Sequence, residues 1–178
     1  MMRWAAAALL IAGWVGPAPA STGWVERLEI VPPPLLREEL DGGVRLRLGG
    51  DEPLAGEGVP DLPSLMRPLA GYPGYRIEVR VVETEHQDEA GVRVVPALTM
   101  RRTMVADNVY TSSWVRAAAD AVYARDGLWP DSLAQVDEAW QGTNRVARLV
   151  VRPVQWNPQS QQLRVHTRLV LELIYRPE

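Results

Sequence analysis

Cysteine is absent from the 178 residues, and so are Lys and Phe. Without a thiol the chain forms no disulfide, gives no thiolate to a metal and performs no cysteine-dependent catalysis, so its own core must hold it together. With no Lys, all 19 basic residues are Arg, and the formal net charge is −3. That balance excludes the basic footprint of a nucleic-acid-binding domain. Histidine occurs only twice, as His86 and His166, in no zinc-ligand spacing. A Gly-rich phosphate loop is missing as well. Long hydrophobic runs are confined to the first residues, where Trp4 to Val15 falls short of the roughly 20 residues that span a bilayer. What remains is ordinary globular chemistry, 47% hydrophobic and 23% charged, in a length that suits one domain.

The N-terminus has the layout of a secretory signal. Met1-Met2-Arg3 is a short positive start, the apolar run follows, and Ala18-Pro19-Ala20 places small residues where a signal peptidase reads. The expected organisation is a signal peptide over 1–20 and one domain over 21–178, exported to the periplasm, the cell surface or the medium, with no membrane contact after cleavage. Loss of Arg3 takes the net charge from −3 to −4.

Period-two alternation dominates the rest. Ile77, Val79 and Val81 alternate with Arg76, Glu78 and Arg80, which predicts a half-buried strand. After the polar stretch Glu83 to Gly91, Val92-Arg93-Val94-Val95 repeats the pattern up to Pro96, suggesting a hairpin with a long tip. From Leu163 to Tyr175, the residues Leu163, Val165, Leu169, Leu171 and Leu173 are expected on one face, with Arg164, His166, Arg168 and Glu172 on the other. Arg145 to Pro153 reads as a second strand, and Gln155-Trp156-Asn157-Pro158-Gln159-Ser160 as the reversal that makes the two a C-terminal hairpin. Val25 to Val31 and Val44 to Leu48 are shorter strands separated by Pro32-Pro33-Pro34. Helical composition is limited to Leu35 to Leu40 and Trp114 to Arg125, and Ala97 to Ser113 reads as a long loop with some strand at Val105 to Tyr110. The fold class is therefore all-β, an antiparallel β-sandwich or barrel-like domain with long loops and at most one short helix.

No catalytic constellation stands out. His86 sits in the acidic run Glu83 to Glu89, which reads as a solvated tip or, alternatively, as a weak cation site of oxygen ligands plus one imidazole. His166 alternates with Arg164 and Arg168, with no nearby Ser specified as a nucleophile. Trp24, Trp114, Trp129, Trp140 and Trp156 could stack on sugars, fill a core that lacks Phe, or serve a protein interface. Neither cofactor nor metal is expected, and the chain reads as no enzyme.

Several ordered segments taken together resemble the propeptide domain of the gingipain-type cysteine peptidases. They are Gly58-Val59-Pro60-Asp61-Leu62-Pro63, the strand Arg76 to Glu83, Gly91 to Ala97, and the stretch from Ala121-Val122-Tyr123-Ala124 through Trp129-Pro130 and Arg145 to Pro158 to Leu163-Arg164-Val165. Trp-Pro and Gln-Trp-Asn-Pro stand here where the family has Tyr-Pro and Gln-Tyr-Asn-Pro. The resemblance implies an all-β domain that folds beside a gingipain-type cysteine peptidase catalytic domain, assists its maturation and masks its cleft until proteolysis. The family's peptidase segment is a point of departure, and the expectation is either a stand-alone copy acting in trans or a truncated or split gene whose peptidase lies elsewhere. For a peptidase that prefers basic residues, the plug would be an exposed Arg whose guanidinium pairs a pocket carboxylate. Arg101 and Arg102 are the first candidates and Arg125, beside Gly127, is the reserve. The competing expectation is a secreted adhesion or carbohydrate-binding sandwich.

Overall fold

A computed structural model describes residues 23–49, 52–53, 58–142 and 144–178. The proposed signal segment lies outside these residues. The elements are β1 (Trp24–Ile30), β2 (Leu36–Leu40), β3 (Gly43–Arg47), β4 (Glu52–Pro53), β5 (Pro63–Leu69), β6 (Tyr75–Glu89), β7 (Leu98–Ala106), β8 (Val109–Arg116), α1 (Asp120–Tyr123), β9 (Ala134–Gln141), β10 (Asn144–Val151), β11 (Val154–Asn157) and β12 (Gln162–Pro177). Among the described residues all paired strands are antiparallel and there is one helix, of four residues, so the all-β expectation holds.

The C-terminal strand is the axis of the molecule. β6 runs along the whole of one edge of β12, from Pro177 opposite Tyr75 to Leu163 opposite Glu89. The other edge is shared, with β1 beside Leu169 to Tyr175 and β11 beside Gln162 to Val165. The order β4-β5-β10-β9 makes a second sheet. Between the two sheets lies the larger core, in which Ile77, Leu169, Leu171, Leu173 and Tyr175 meet Ala134, Ala147, Leu149 and Val151. Each buried aliphatic side chain in this contact contributes about 1.5–3 kcal/mol.

A second core joins Leu46, Leu62, Val92, Val94, Val154, Trp156 and Leu163. Its existence corrects the expected faces of β12. The register with β6 slips between His166 and Arg168, where Thr167 is the extra residue of a bulge. One inserted residue inverts which alternate side chains face which side of the sheet. Leu163 and Val165 therefore serve the second core, while Leu169, Leu171 and Leu173 serve the first. His166 is buried at 4% exposure instead of lying on a polar face.

Other local expectations are corrected by long-range pairing. The polar stretch after Val82 is no hairpin tip, because β6 continues to Glu89 against β12, with Arg164 and Arg168 of β12 ion-paired to Asp88, Glu83 and Glu85. Val92 to Ala97 instead threads between β3 and residues 58–62, with Val44 N–H donating to Arg93 O at 2.7 Å and Asp61 N–H to Val95 O at 2.9 Å. The C-terminal hairpin exists, but its first strand is β11, and β10 belongs to the other sheet. Leu36 to Leu40 is a strand that pairs with β3 across Gly42, whose φ of 89° suits glycine. Trp114 to Arg116 is strand as well, which leaves α1 alone of the expected helix.

Candidate functional site

The stretch expected to be a loop is a β-arm. β7 and β8 pair with each other, Met100 opposite Trp114, Arg101 opposite Ser113, Arg102 opposite Ser112 and Met104 opposite Tyr110, with a register shift between Met104 and Ala106. Among the described residues neither strand joins another sheet. The turn at Asp107-Asn108 has Asn108 at φ 60°, a left-handed conformation that Asn tolerates better than most residues. Alternation puts Leu98, Met100, Arg102 and Met104 on one face with Tyr110 and Trp114, and all of these are exposed. Arg102 lies over the Tyr110 ring, 4.2 Å from its centroid. Arg101 belongs to the opposite face, among Thr99, Thr103, Thr111 and Ser113. Both candidate arginines thus sit on extended backbone in the middle of an exposed strand.

The arm's root is tied down by a buried carboxylate. Asp61 is 2% exposed and receives Arg47 at 2.9 and 3.3 Å and Arg116, the last residue of β8, at 3.0 Å. Arg45 Nε lies 3.5 Å from its Oδ2. Arg116 also donates to Pro96 O at 2.5 Å, and Ala119 N–H donates to Gly58 O at 3.0 Å. Three guanidiniums from two strands therefore converge on one acid. Arg125, by contrast, follows α1 and makes a two-pronged ion pair with Asp131, which holds the exposed Asp131 carboxyl below the usual carboxylate range. It shares no hydrogen bond with the arm.

The two histidines, unrelated by spacing, face each other across strands. His86 of β6 is the register partner of His166 of β12, with ring centroids 5.4 Å apart. The His166 N–H donates to Pro153 O at 2.7 Å, on the opposite edge of the strand. Gln155 Nε2 donates to Pro130 O at 2.7 Å, so its Oε1 faces His166 Nε2 at 3.1 Å and that nitrogen carries the proton. Nδ1 is buried without a hydrogen-bond partner among the described residues. The ring borders a cleft of about 710 Å³, also lined by Pro32, Pro33, Pro34, Pro153 and Val154, in the gap between β1 and β11.

Burial lowers the His166 pKa to about 4, with His86 and Arg164 adding to the shift and Asp88 opposing it. The unfolded chain takes up the proton near the ordinary value of about 6.5, so the folded state holds fewer protons between these limits. Stability is then complete above about pH 6.5 and falls as pH is lowered towards 4, by roughly 2 kcal/mol at pH 5. Urea unfolding at pH 7.5 and pH 5.0 measures this, and a flat profile between them would remove the assignment.

The aromatic residues divide by environment. Trp156 is buried with Nε1 donating to Val92 O at 2.7 Å, and Trp24 stacks on Tyr175 at 4.3 Å, so both serve the fold. Trp114 and Trp140 are exposed, at 65% and 70%. Among the described residues no group of three or more His, Asp and Glu side chains is placed to hold a metal, and no helix is long and apolar enough to cross a membrane.

The Propeptide_C25 family model matches residues 45–177. The fold is similar to that in the complex of Porphyromonas gingivalis RgpB pro- and mature domains, at 20% identity and a TM-score of 0.70, over 91% of this chain and 82% of that one. It is also similar to a structure bearing on the zymogenic latency of gingipain K from Porphyromonas gingivalis, at 20% identity and a TM-score of 0.64, over 89% of this chain and 94% of that one. At such identity the likeness is one of fold. No curated protein matches the sequence.

Proposed function

The chain belongs to the Propeptide_C25 family, and from that premise we propose that it is an exported domain, its mature part beginning near Ser21, which assists the folding of a gingipain-type cysteine peptidase and masks its active cleft. The observation that supports this most is the β-arm, with Arg101 and Arg102 on extended backbone whose outer edges pair with no other described strand. An extended segment can add to a cleft through the same main-chain hydrogen bonds that a substrate makes. One guanidinium then enters a pocket with a carboxylate at its base, as a two-pronged charged pair. Turnover is slowed because β7 stays laddered to β8, so a severed strand is held beside its other end. The exposed apolar face with Met100, Met104, Tyr110 and Trp114 supplies the remaining contact area for the peptidase. The chain itself has no cysteine with which to act as such a peptidase.

Residues 21–178 are purified and added to a gingipain-type cysteine peptidase, and inhibition constants are compared for the parent, Arg101→Ala, Arg102→Ala and Arg125→Ala. One of the first two variants is expected to weaken inhibition about 100-fold or more, the usual scale for losing one partner of a buried charged pair at an interface. Arg125→Ala is expected to act like the parent, since its ion pair with Asp131 is exposed. Equal inhibition by all four proteins refutes the plug. A carbohydrate-binding or adhesive role is the second reading, favoured by the exposed Trp114 and Trp140; quenching of Trp fluorescence by sugar, with the peptidase unaffected, would select it.

A further inference from the structure

We propose that His86 and His166 form a site for one borderline divalent cation of the Zn²⁺, Cu²⁺ or Ni²⁺ class, which clips β6 to β12 where Thr167 interrupts their pairing. The first argument is backbone geometry. In an antiparallel ladder a residue's N–H and C=O point to the same edge, and those of His166 point to Pro153. Towards β6 the His86–His166 pair is therefore of the kind without mutual hydrogen bonds, in which facing side chains approach most closely. The rings, 5.4 Å apart between centroids, are already adjacent.

The second argument is the state of His166. Its Nε2–H is held by Gln155, which is itself fixed by Pro130 O. Metal-bound imidazoles are oriented in this way, the nitrogen away from the ion donating to a fixed oxygen. The other nitrogen, Nδ1, keeps a lone pair that no donor among the described residues uses, on a side chain 4% exposed. A bare, buried acceptor costs stability unless something pairs with it. Imidazole nitrogen suits Zn²⁺, Cu²⁺ and Ni²⁺ and is a poor ligand for Ca²⁺ or Mg²⁺.

The third argument is access and charge. His86 is exposed, so its ring can reorient towards His166 without disturbing the core. Beside the pair, Asp88 and Arg164 are joined by bonds of 2.8 and 2.7 Å, so the Arg164 charge is partly offset there. Water completes the coordination of an ion held by two imidazoles. This inference does not depend on the propeptide reading.

The test is calorimetric titration of ZnCl₂ into the purified chain at pH 7.5 in a non-coordinating buffer, alongside thermal unfolding with and without metal. One equivalent is expected to bind and to raise the unfolding midpoint by about 5 °C at a hundredfold excess over the dissociation constant. His86→Ala, a change at an exposed position, is expected to unfold like the parent without metal and to lose both the binding heat and the metal-induced shift. Nitrogen-detected NMR is expected to show Zn²⁺ moving the His166 Nδ1 resonance while Nε2 keeps its proton. Absence of saturable binding, equal binding by His86→Ala, or an unmoved Nδ1 resonance overturns the site.

Discussion

Asp61→Ala is expected to lower the unfolding free energy by about 3–5 kcal/mol, the usual consequence of removing one partner from a buried ionic cluster. Asp61 is 2% exposed and is the shared acceptor of Arg47 and Arg116, with Arg45 Nε beside it. Taking the carboxylate away removes the counter-charge that three neighbouring cations share, while Arg45 keeps its ion pair with Glu38 at 3.3 Å. Asp61→Asn is expected to fall in the same direction, because it keeps the shape and loses the charge. Urea unfolding of the three proteins at pH 7.5 measures the effect, and a loss under 1 kcal/mol in Asp61→Ala would show that the cluster contributes little. Because Arg116 ends β8, the arm should also loosen, and faster amide exchange at β7 and β8 in Asp61→Asn is the local sign of it.

Trp156→Ala is the second large effect, expected at about 3–5 kcal/mol for an aromatic deleted from a packed core. Trp156 is 2% exposed, meets Tyr123 edge-on at 5.4 Å and pairs in backbone with Trp129. Its Nε1–H also satisfies Val92 O, a connection across 64 residues. Trp156→Tyr separates the two contributions, since it retains an aromatic ring and removes the indole donor. It is expected to cost about 1–3 kcal/mol, the range for a buried acceptor left unpaired. A Trp156→Tyr protein as unstable as Trp156→Ala would mean that the indole hydrogen bond, which both variants lose, outweighs the packing of the ring.

Strands with one buried face were legible from alternation alone. β1, β3, the first half of β6 and β12 beyond its bulge follow it, and the turn after Asn157 was legible from its chemistry, Asn157 Oδ1 accepting from Gln159 and Ser160 N–H at 3.0 and 3.2 Å. The β-arm was not, because alternation reports a difference between a wet and a dry face, and both faces of the arm are wet. Arg102 in the middle of its apolar face further breaks the pattern. The bulge at Thr167 was hidden because the inserted residue is defined by the register with β6, which no local pattern encodes. The same is true of the site chemistry. Arg101 and Arg102 could be singled out as candidates within their segment, whereas Asp61 gathers partners 14 and 55 residues away and His86 meets a residue from another strand.

The central place of β12 has a consequence for biosynthesis. Its 16 residues are the partner of β1, β6 and β11, and they come last in the order of the strands. As the polypeptide leaves the ribosome, Trp24, Ile77 and Trp156 therefore have no sheet to close over them until Gln162 to Pro177 has been translated. Closure of the main sheet therefore waits for β12, and until those residues emerge the earlier strands expose apolar surface that a chaperone can cover.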